Sequence, residues 1–411
     1  MTLRTLSLLV ASTLLAACVR PGPPRVPTLP PEPIARKAPE KDYERPLPPG
    51  VHALRKITDP ADMPNLSAGL GDVAGLRASV QRSLHYLAKP SSQQFFPVSG
   101  ISHAQVVRSL ELMDELLAQQ SGDPLALAAE LRRRFDVYTT IGCDDKGTVL
   151  FTGYYTPIFQ ASRERSGEYQ FPLHRLPEGH RKDPITGKTL GLARADGSVD
   201  PDYPTREELI DSPLLAGKEL VYLKTPFEAY VIGVQGSAIL ELRDGSRLEV
   251  GYAGTNGKPY ASLGRALVKA GKLKPTELNL KRMIEYFQAH PEDFEPLAAA
   301  NQRYVFFQES AGGPFGCLNE KVTRLRSIAT DKSIFPRGSL CFLKARLPVA
   351  SGIYQGFVCD QDAGGAIRAP GRCDVYMGIG EDAGRDAGRT LAEGRLYYLI
   401  AKDEELYAFG K

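Results

Sequence analysis

The chain has 411 residues, room for two or three domains at roughly 100–200 residues each. Hydrophobic residues make up 42% and charged residues 24%, enough to bury a core, whereas 39 Gly and 32 Pro disfavour a helical bundle or solenoid. Lys+Arg 51 against Asp+Glu 48 leaves +3, too little to argue for nucleic acid, and only the extreme N-terminus carries an apolar run near membrane length.

Residues 1–18, MTLRTLSLLVASTLLAAC, combine Arg4, an apolar stretch from Leu6 to Leu15 and small residues, as a secretory signal peptide does. Leu15-Ala16-Ala17-Cys18 has the form of a bacterial lipobox. Small residues before a Cys that ends the apolar run favour acylation of Cys18 over an ordinary cleavage site with an incidental Cys. Val19, in place of Asp, points to the outer membrane on its periplasmic side. Each buried acyl CH₂ contributes about 0.8 kcal/mol, so several chains anchor firmly. Between Pro21 and Gly50 lie eleven prolines, a tether that spans on the order of 90 Å as polyproline II, or a disordered leader; the folded body is expected after Val51.

In the body, Val106, Leu110, Met113 and Leu117 recur at helical spacing over 103–120, and 125–135 reads as a second helix. Strands are expected over 148–155, 219–223, 229–240 and 247–253, then helices over 262–270 and 276–290. From Tyr304 onward short strands return: YVFFQ, GSLCFLKARL, GFVCD, CDVYMGIG and RLYYLIA. The fold class is α+β, β-rich and barrel-like, decorated by helices. The Gly69/Gly71/Gly75 and Gly378/Gly380/Gly384 stretches are one residue too long for a dinucleotide fingerprint and read as tight turns. Gln308-Glu309-Ser310-Ala311-Gly312 lacks the first Gly of a nucleophile elbow. Beyond Cys18 there are five cysteines. Cys317/Cys341 or Cys359/Cys373 are candidate bridges, and no His or Cys spacing suggests zinc.

Aspartates stand out in the C-terminal third: Asp331 in an extended segment entering a turn, Asp362 before Gly364-Gly365, and Asp374 at the start of a strand-like run. A carboxyl flanked by Cys373 and Val375 is expected to lose hydration, and a second carboxylate nearby raises its pKa further, suiting it to lend and retake a proton. By spacing alone, ordinary turn and strand-edge positions are the better account of Asp362 and Asp374, and it is resemblance that favours catalysis.

ATDKSIFPRGSL, DQDAGGAI and CDVYMGIGEDAG together resemble the three-aspartate (3D) domain. With FTGYYTP at 151–157, VQGSAIL at 234–240 and YAGTNGKPYASLG at 252–264, the chain from about residue 100 onward resembles the membrane-bound lytic transglycosylase A family. The resemblance implies a double-psi β-barrel with an inserted second β-barrel domain, peripheral helices and a glycan groove between the domains. The implied division is signal peptide 1–18, tether 19–50, first barrel 51–155 with 301–411, and insert 156–300. It also implies cleavage of the β-1,4 bond between N-acetylmuramic acid and N-acetylglucosamine, with closure of a 1,6-anhydro ring.

On the same resemblance Asp374 is the catalytic acid/base and Asp362 its supporting carboxylate. Asp331, Gln235, Gly236, Ser237, Tyr154 and Thr156 are candidate substrate contacts, with packing an equal alternative for the lining residues and bracing of the barrel for Asp331. The implied partners are peptidoglycan strands, the outer membrane through the lipid anchor and a cell-wall enzyme complex, with no nucleic acid, cofactor or metal. A hydrolase that adds water and a non-catalytic peptidoglycan-binding lipoprotein remain as alternatives.

Overall fold

A computed structural model describes residues 41–120, 122–184 and 186–407. The signal peptide, Cys18 and the tether as far as residue 40 lie outside the described residues. The chain runs through β1 (Leu54–Lys56), α1 (Val73–Leu87), α2 (His103–Gln120), α3 (Pro124–Arg134), β2 (Phe135–Thr140) and β3 (Val149–Thr156). The insert follows: β4 (Ile158–Ala161), β5 (Phe171–His174), β6 (His180–Lys182), β7 (Thr189–Ala193), β8 (Val199–Asp200), α4 (Arg206–Ile210) and β9 (Glu219–Leu223). It continues through α5 (Pro226–Gln235), β10 (Ser237–Leu242), β11 (Arg247–Thr255), α6 (Leu263–Lys269), α7 (Leu280–Ala289), α8 (Phe294–Ala298) and β12 (Val305–Glu309). The chain then completes the first unit with β13 (Ser327–Ala329), β14 (Leu340–Ala345), β15 (Tyr354–Asp362), β16 (Arg372–Ile379), α9 (Gly380–Arg389), β17 (Leu391–Ala401) and α10 (Asp403–Tyr407).

Six strands in the order β17-β14-β15-β13-β16-β3 close into a barrel through the β3–β17 pairing, with β2 and β1 extending outward from the C-terminal half of β17. This is the expected double-psi barrel. The apolar stripe of α2 does what its spacing predicts: Val106, Leu110, Met113 and Leu117 are buried in one core with Phe151, Phe342, Phe357 and Tyr398 of the barrel. Gln361, fully buried, ties α1 to this core. Its amide accepts from the Ser79 and Ser327 hydroxyls and donates to the Ser79 carbonyl and the Ser83 hydroxyl, so no polar group is orphaned.

In the insert, β12-β11-β10-β4 form one sheet, which continues through a bridge between Ser162 and Tyr222 onto β9-β5, and β5 packs back against β12. Leu173, Val221, Leu240, Val250 and Phe307 fill the barrel-like interior. Two further clusters stand apart, one among α5, α6, α7 and α8 and one around Tyr203, Leu209 and Phe306.

Several sequence expectations change. Residues 229–240 are a helix followed by a strand, not one strand. Thr225 caps α5 in a reciprocal box with Glu228, Pro226 opens it, and Gly236 ends it at φ 80 with its N–H on the Ile232 carbonyl. β12 pairs with β11, so the insert extends past residue 300 to Glu309. Residues 41–50 are not free tether. Tyr43 is buried against Cys143 and Leu150, its hydroxyl donates to Glu393, and Lys41 pairs with Glu393 at 3.0 Å. Gly75 and Gly384 lie inside α1 and α9 rather than in turns. The five described cysteines are all free.

Candidate active site

Strand alternation builds the site. Along β16, Cys373, Val375 and Met377 point into the core, which turns Asp374 and Tyr376 to the opposite face. On β3 the partner positions are Thr152, opposite Asp374, and Tyr154, opposite Tyr376. On the other side Asp374 pairs with Ala329 of β13, which in turn pairs with Asp362 of β15. Asp362, Ala329, Asp374 and Thr152 thus form a row across four strands. Two strand spacings put the Asp362 and Asp374 backbones about 10 Å apart.

Both aspartates are half-buried. The Thr152 hydroxyl donates to Asp374 Oδ1, and Arg372 Nη2 donates to the Thr152 hydroxyl at 3.2 Å. Burial pushes the Asp374 carboxyl up to about 6; the Arg372 guanidinium opposes this shift and the Asp362 charge adds to it. The flanking residues Cys373 and Val375 do not cause the shift, because they face the other way. Thr152 of the neighbouring strand and Tyr260 of the insert stand beside Asp374 instead. Asp362 is also raised by burial, against the pull of the Tyr154 hydroxyl at 2.8 Å, the Ala363 and Cys317 amides at 2.8 Å each, and nearby Lys332. The Cys317 contact depends on Gly316, where a Cβ would lie 2.6 Å from the Gln361 carbonyl oxygen and 3.1 Å from Asp362 Cγ.

The other sequence-derived residues divide. Tyr154 belongs to the site through Asp362 and packs at 5.2 Å, ring to ring, on Tyr376. Gln235 accepts the Tyr155 amide at 3.0 Å, which seats the Gln235-Gly236-Ser237 junction on the barrel beside β3. Ser237 is half-exposed, 3.3 Å from the Thr156 hydroxyl. Thr156 itself is 1% exposed and shares its hydroxyl with Tyr376, so it braces the junction. Asp331 stands where expected, just past strand β13 at the entry to a turn, its carbonyl accepting from the Ile334 and Phe335 amides. One of its oxygens accepts from Ser333 N and Oγ and the other from the Ala369 amide, so its carboxylate braces the chain on either side of the site.

Thr152, Arg372 and Tyr376 escaped the sequence reading, although the outward positions of β3 and β16 would have marked them. Also missed was the barrel's buried Lys332–Asp360 pair, completed by Thr330 at 2.7 Å and the Tyr398 hydroxyl at 2.9 Å. From the insert, Tyr260 stands close enough to Asp374 and Arg372 to feel both charges, and Arg303 lies over Gly365 in the loop after Asp362. The potential cation ligands His290, Glu292 and Asp293 cluster on the insert surface, where Asp293 is already engaged by Tyr286 and Lys272.

The sequence profile of the MltA-specific insert domain matches residues 150–308, and that of the 3D domain matches residues 326–400. Membrane-bound lytic murein transglycosylase A of Escherichia coli K12 is 31% identical over 272 residues, 64% of this chain and 69% of the relative. Its Vibrio cholerae counterpart is 30% identical over 322 residues, 75% and 80% of the two chains. The fold is shared with a murein transglycosylase from Agrobacterium tumefaciens, with a TM-score of 0.71 and 22% identity over 85% of this chain and 98% of that one. It is shared as well with E. coli MltA bearing chitohexaose, with a TM-score of 0.66 and 24% identity over 90% and 99%. Matched in both its insert and its aspartate-bearing barrel, this chain belongs to the membrane-bound lytic murein transglycosylase A family.

Proposed function

We propose that this protein is a murein-degrading lytic transglycosylase, with Asp374 as its single acid/base. The observation that carries the reading is one half-buried carboxyl with a pKa of about 6, oriented by Thr152 beside the fixed carboxylate of Asp362. Its proton passes to the glycosidic oxygen as the bond to the muramic anomeric carbon breaks. The resulting carboxylate then takes the proton of the muramic 6-hydroxyl as that oxygen attacks the same carbon, closing the 1,6-anhydro ring. No water enters, and Asp374 ends as it began. Asp362, with one oxygen held by Tyr154 and the other by two amides, offers its charge to the oxocarbenium-like transition state. Those same bonds leave it poorly free to activate water, which argues against the hydrolase.

Acylation at Cys18 on the periplasmic face of the outer membrane fits the membrane-bound character of the relatives, and other cell-wall enzymes are the partners expected there. Among the described residues no helix is long and apolar enough to cross a membrane. Mass spectrometry of murein digested by wild type and Asp374→Asn tests the reading. Anhydro-ended fragments from wild type and none from the folded variant are expected. Fragments heavier by one water would make the enzyme a hydrolase, and no fragments from wild type would make the protein a binding lipoprotein.

A further inference from the structure

The insert holds a cavity of about 690 Å³, bounded by α4, α5, β5 and β9, within the range that takes a small ligand or short peptide. Its lining is strongly charged and of both signs: Arg165, Arg206 and Arg303 stand against Asp211, Glu219 and Glu295. Arg206 is built in. Its side chain is 9% exposed, pairs with Glu295 at 3.2 Å, and lies 5.6 Å from the ring centres of Tyr230 and Phe294. A desolvated, immobilised guanidinium is a carboxylate receptor, because its planar fork matches two oxygens at once. A neutral sugar chain gains little from such a set of charges, whereas a peptide carrying carboxylates and an amine meets them all.

The cavity also adjoins the reaction site. Tyr260 lines it and stands beside Asp374 and Arg372. Arg303 lines it and covers the loop after Asp362, where a Cβ on Gly365 would lie 3.2 Å from Arg303 Cζ. A branch leaving a sugar held between the two aspartates therefore has a route into this space. We propose that the cavity binds the carboxylate-bearing peptide branch carried by the muramic acid unit, so that the insert selects peptide-substituted strands over bare ones. The inference rests on the murein-cleaving reading above.

Its test is made independent of turnover. Glycan strands that keep their peptides, and the same strands stripped by an amidase, are titrated into the cleavage-dead Asp374→Asn protein. A second variant adds Gly233→Leu. Gly233 lies in the cavity wall on α5, where an added Cβ would find only Val305 Cβ at 4.0 Å, so the longer side chain fills the space without straining the helix. Asp374→Asn is expected to bind the peptide-bearing strand about tenfold more tightly, as one charge-assisted contact allows, and Gly233→Leu to reduce that ratio to about twofold or less. Should Gly233→Leu fail to fold, Arg165→Ala at the cavity's rim carries the same expectation. Equal affinity of Asp374→Asn for the two strands, or a preference that survives the filled cavity, overturns the proposal. Failure of the catalytic reading shows elsewhere, as water-containing or absent products from wild type, and leaves the affinity ratio readable.

Discussion

In the barrel, Asp360 is 0% exposed and every side-chain neighbour it needs is in place: Lys332 on one oxygen, with Thr330 and Tyr398 on the other. In the insert, Arg206 is buried almost as deeply yet borders an open cavity, and the apolar residues are split among three clusters rather than gathered in one. The barrel joins α1, α2, α3 and α9 to its strands in a single core, so the row carrying Asp374 stands on a platform with little room to relax. The insert keeps space for something to enter. Chemistry that depends on one proton needs a fixed acid, whereas selection among branched polymers needs a receptive surface, and the two units divide these demands.

Removing the acid should separate the two units most sharply. Asp374→Asn is expected to lower kcat by about 10²–10⁴ while strand binding persists. The same variant should be more stable above neutral pH. The folded Asp374 carboxyl is raised to about 6 from an ordinary 3.8, so its ionised form costs stability, increasingly from pH 4 to pH 6 and fully above that window. The gain at pH 7 is about 1–2 kcal/mol after allowance for partial exposure, and none should appear at pH 3; denaturant melts at the two pH values check it.

Breaking the platform comes next. Lys332→Met leaves Asp360 charged and unpaired in the core and should cost about 3–5 kcal/mol in a urea melt, with anhydro products still formed by whatever remains folded. Tyr154→Phe is subtler. The Tyr154 hydroxyl holds the Asp362 pKa down, so its loss lets Asp362 take a proton more readily and weakens the field that lifts Asp374. An activity loss of about tenfold is expected, and the alkaline limb of kcat/KM, expected near pH 6 in wild type, should move to lower pH. A merely structural tyrosine would leave that limb in place. At the other extreme, Arg247→Ala removes an exposed pair with Glu241 at the rim of the insert and should change stability by about 0.5 kcal/mol or less.

Legibility followed the size and placement of buried side chains. α2 was plain because large apolar residues repeat on one face. α1 was missed because Ser79 and Ser83 occupy buried positions of its stripe, and α9 because Gly380, Ala383, Gly384 and Ala387 form a face too small to register as apolar. α5 is apolar nearly all round and so resembled a strand; only the Thr225–Glu228 box and Gly236 reveal it. At the site, the two aspartates were marked by motifs, but their alignment through Ala329 depends on strand register between segments far apart in sequence. Thr152, Arg372 and the Lys332–Asp360 pair are likewise products of that register, while for Thr156 and Asp331 the hydrogen bonds supply the bracing role that the motifs left open beside substrate contact.

The central claim is that burial and a neighbouring carboxylate hold one aspartate near neutrality. Carboxyl-selective carbon NMR, with the Asp374 resonance assigned by its loss in Asp374→Asn, measures this directly. The account predicts a midpoint of about 6. A midpoint at the value of a free aspartate, near 4, would contradict it.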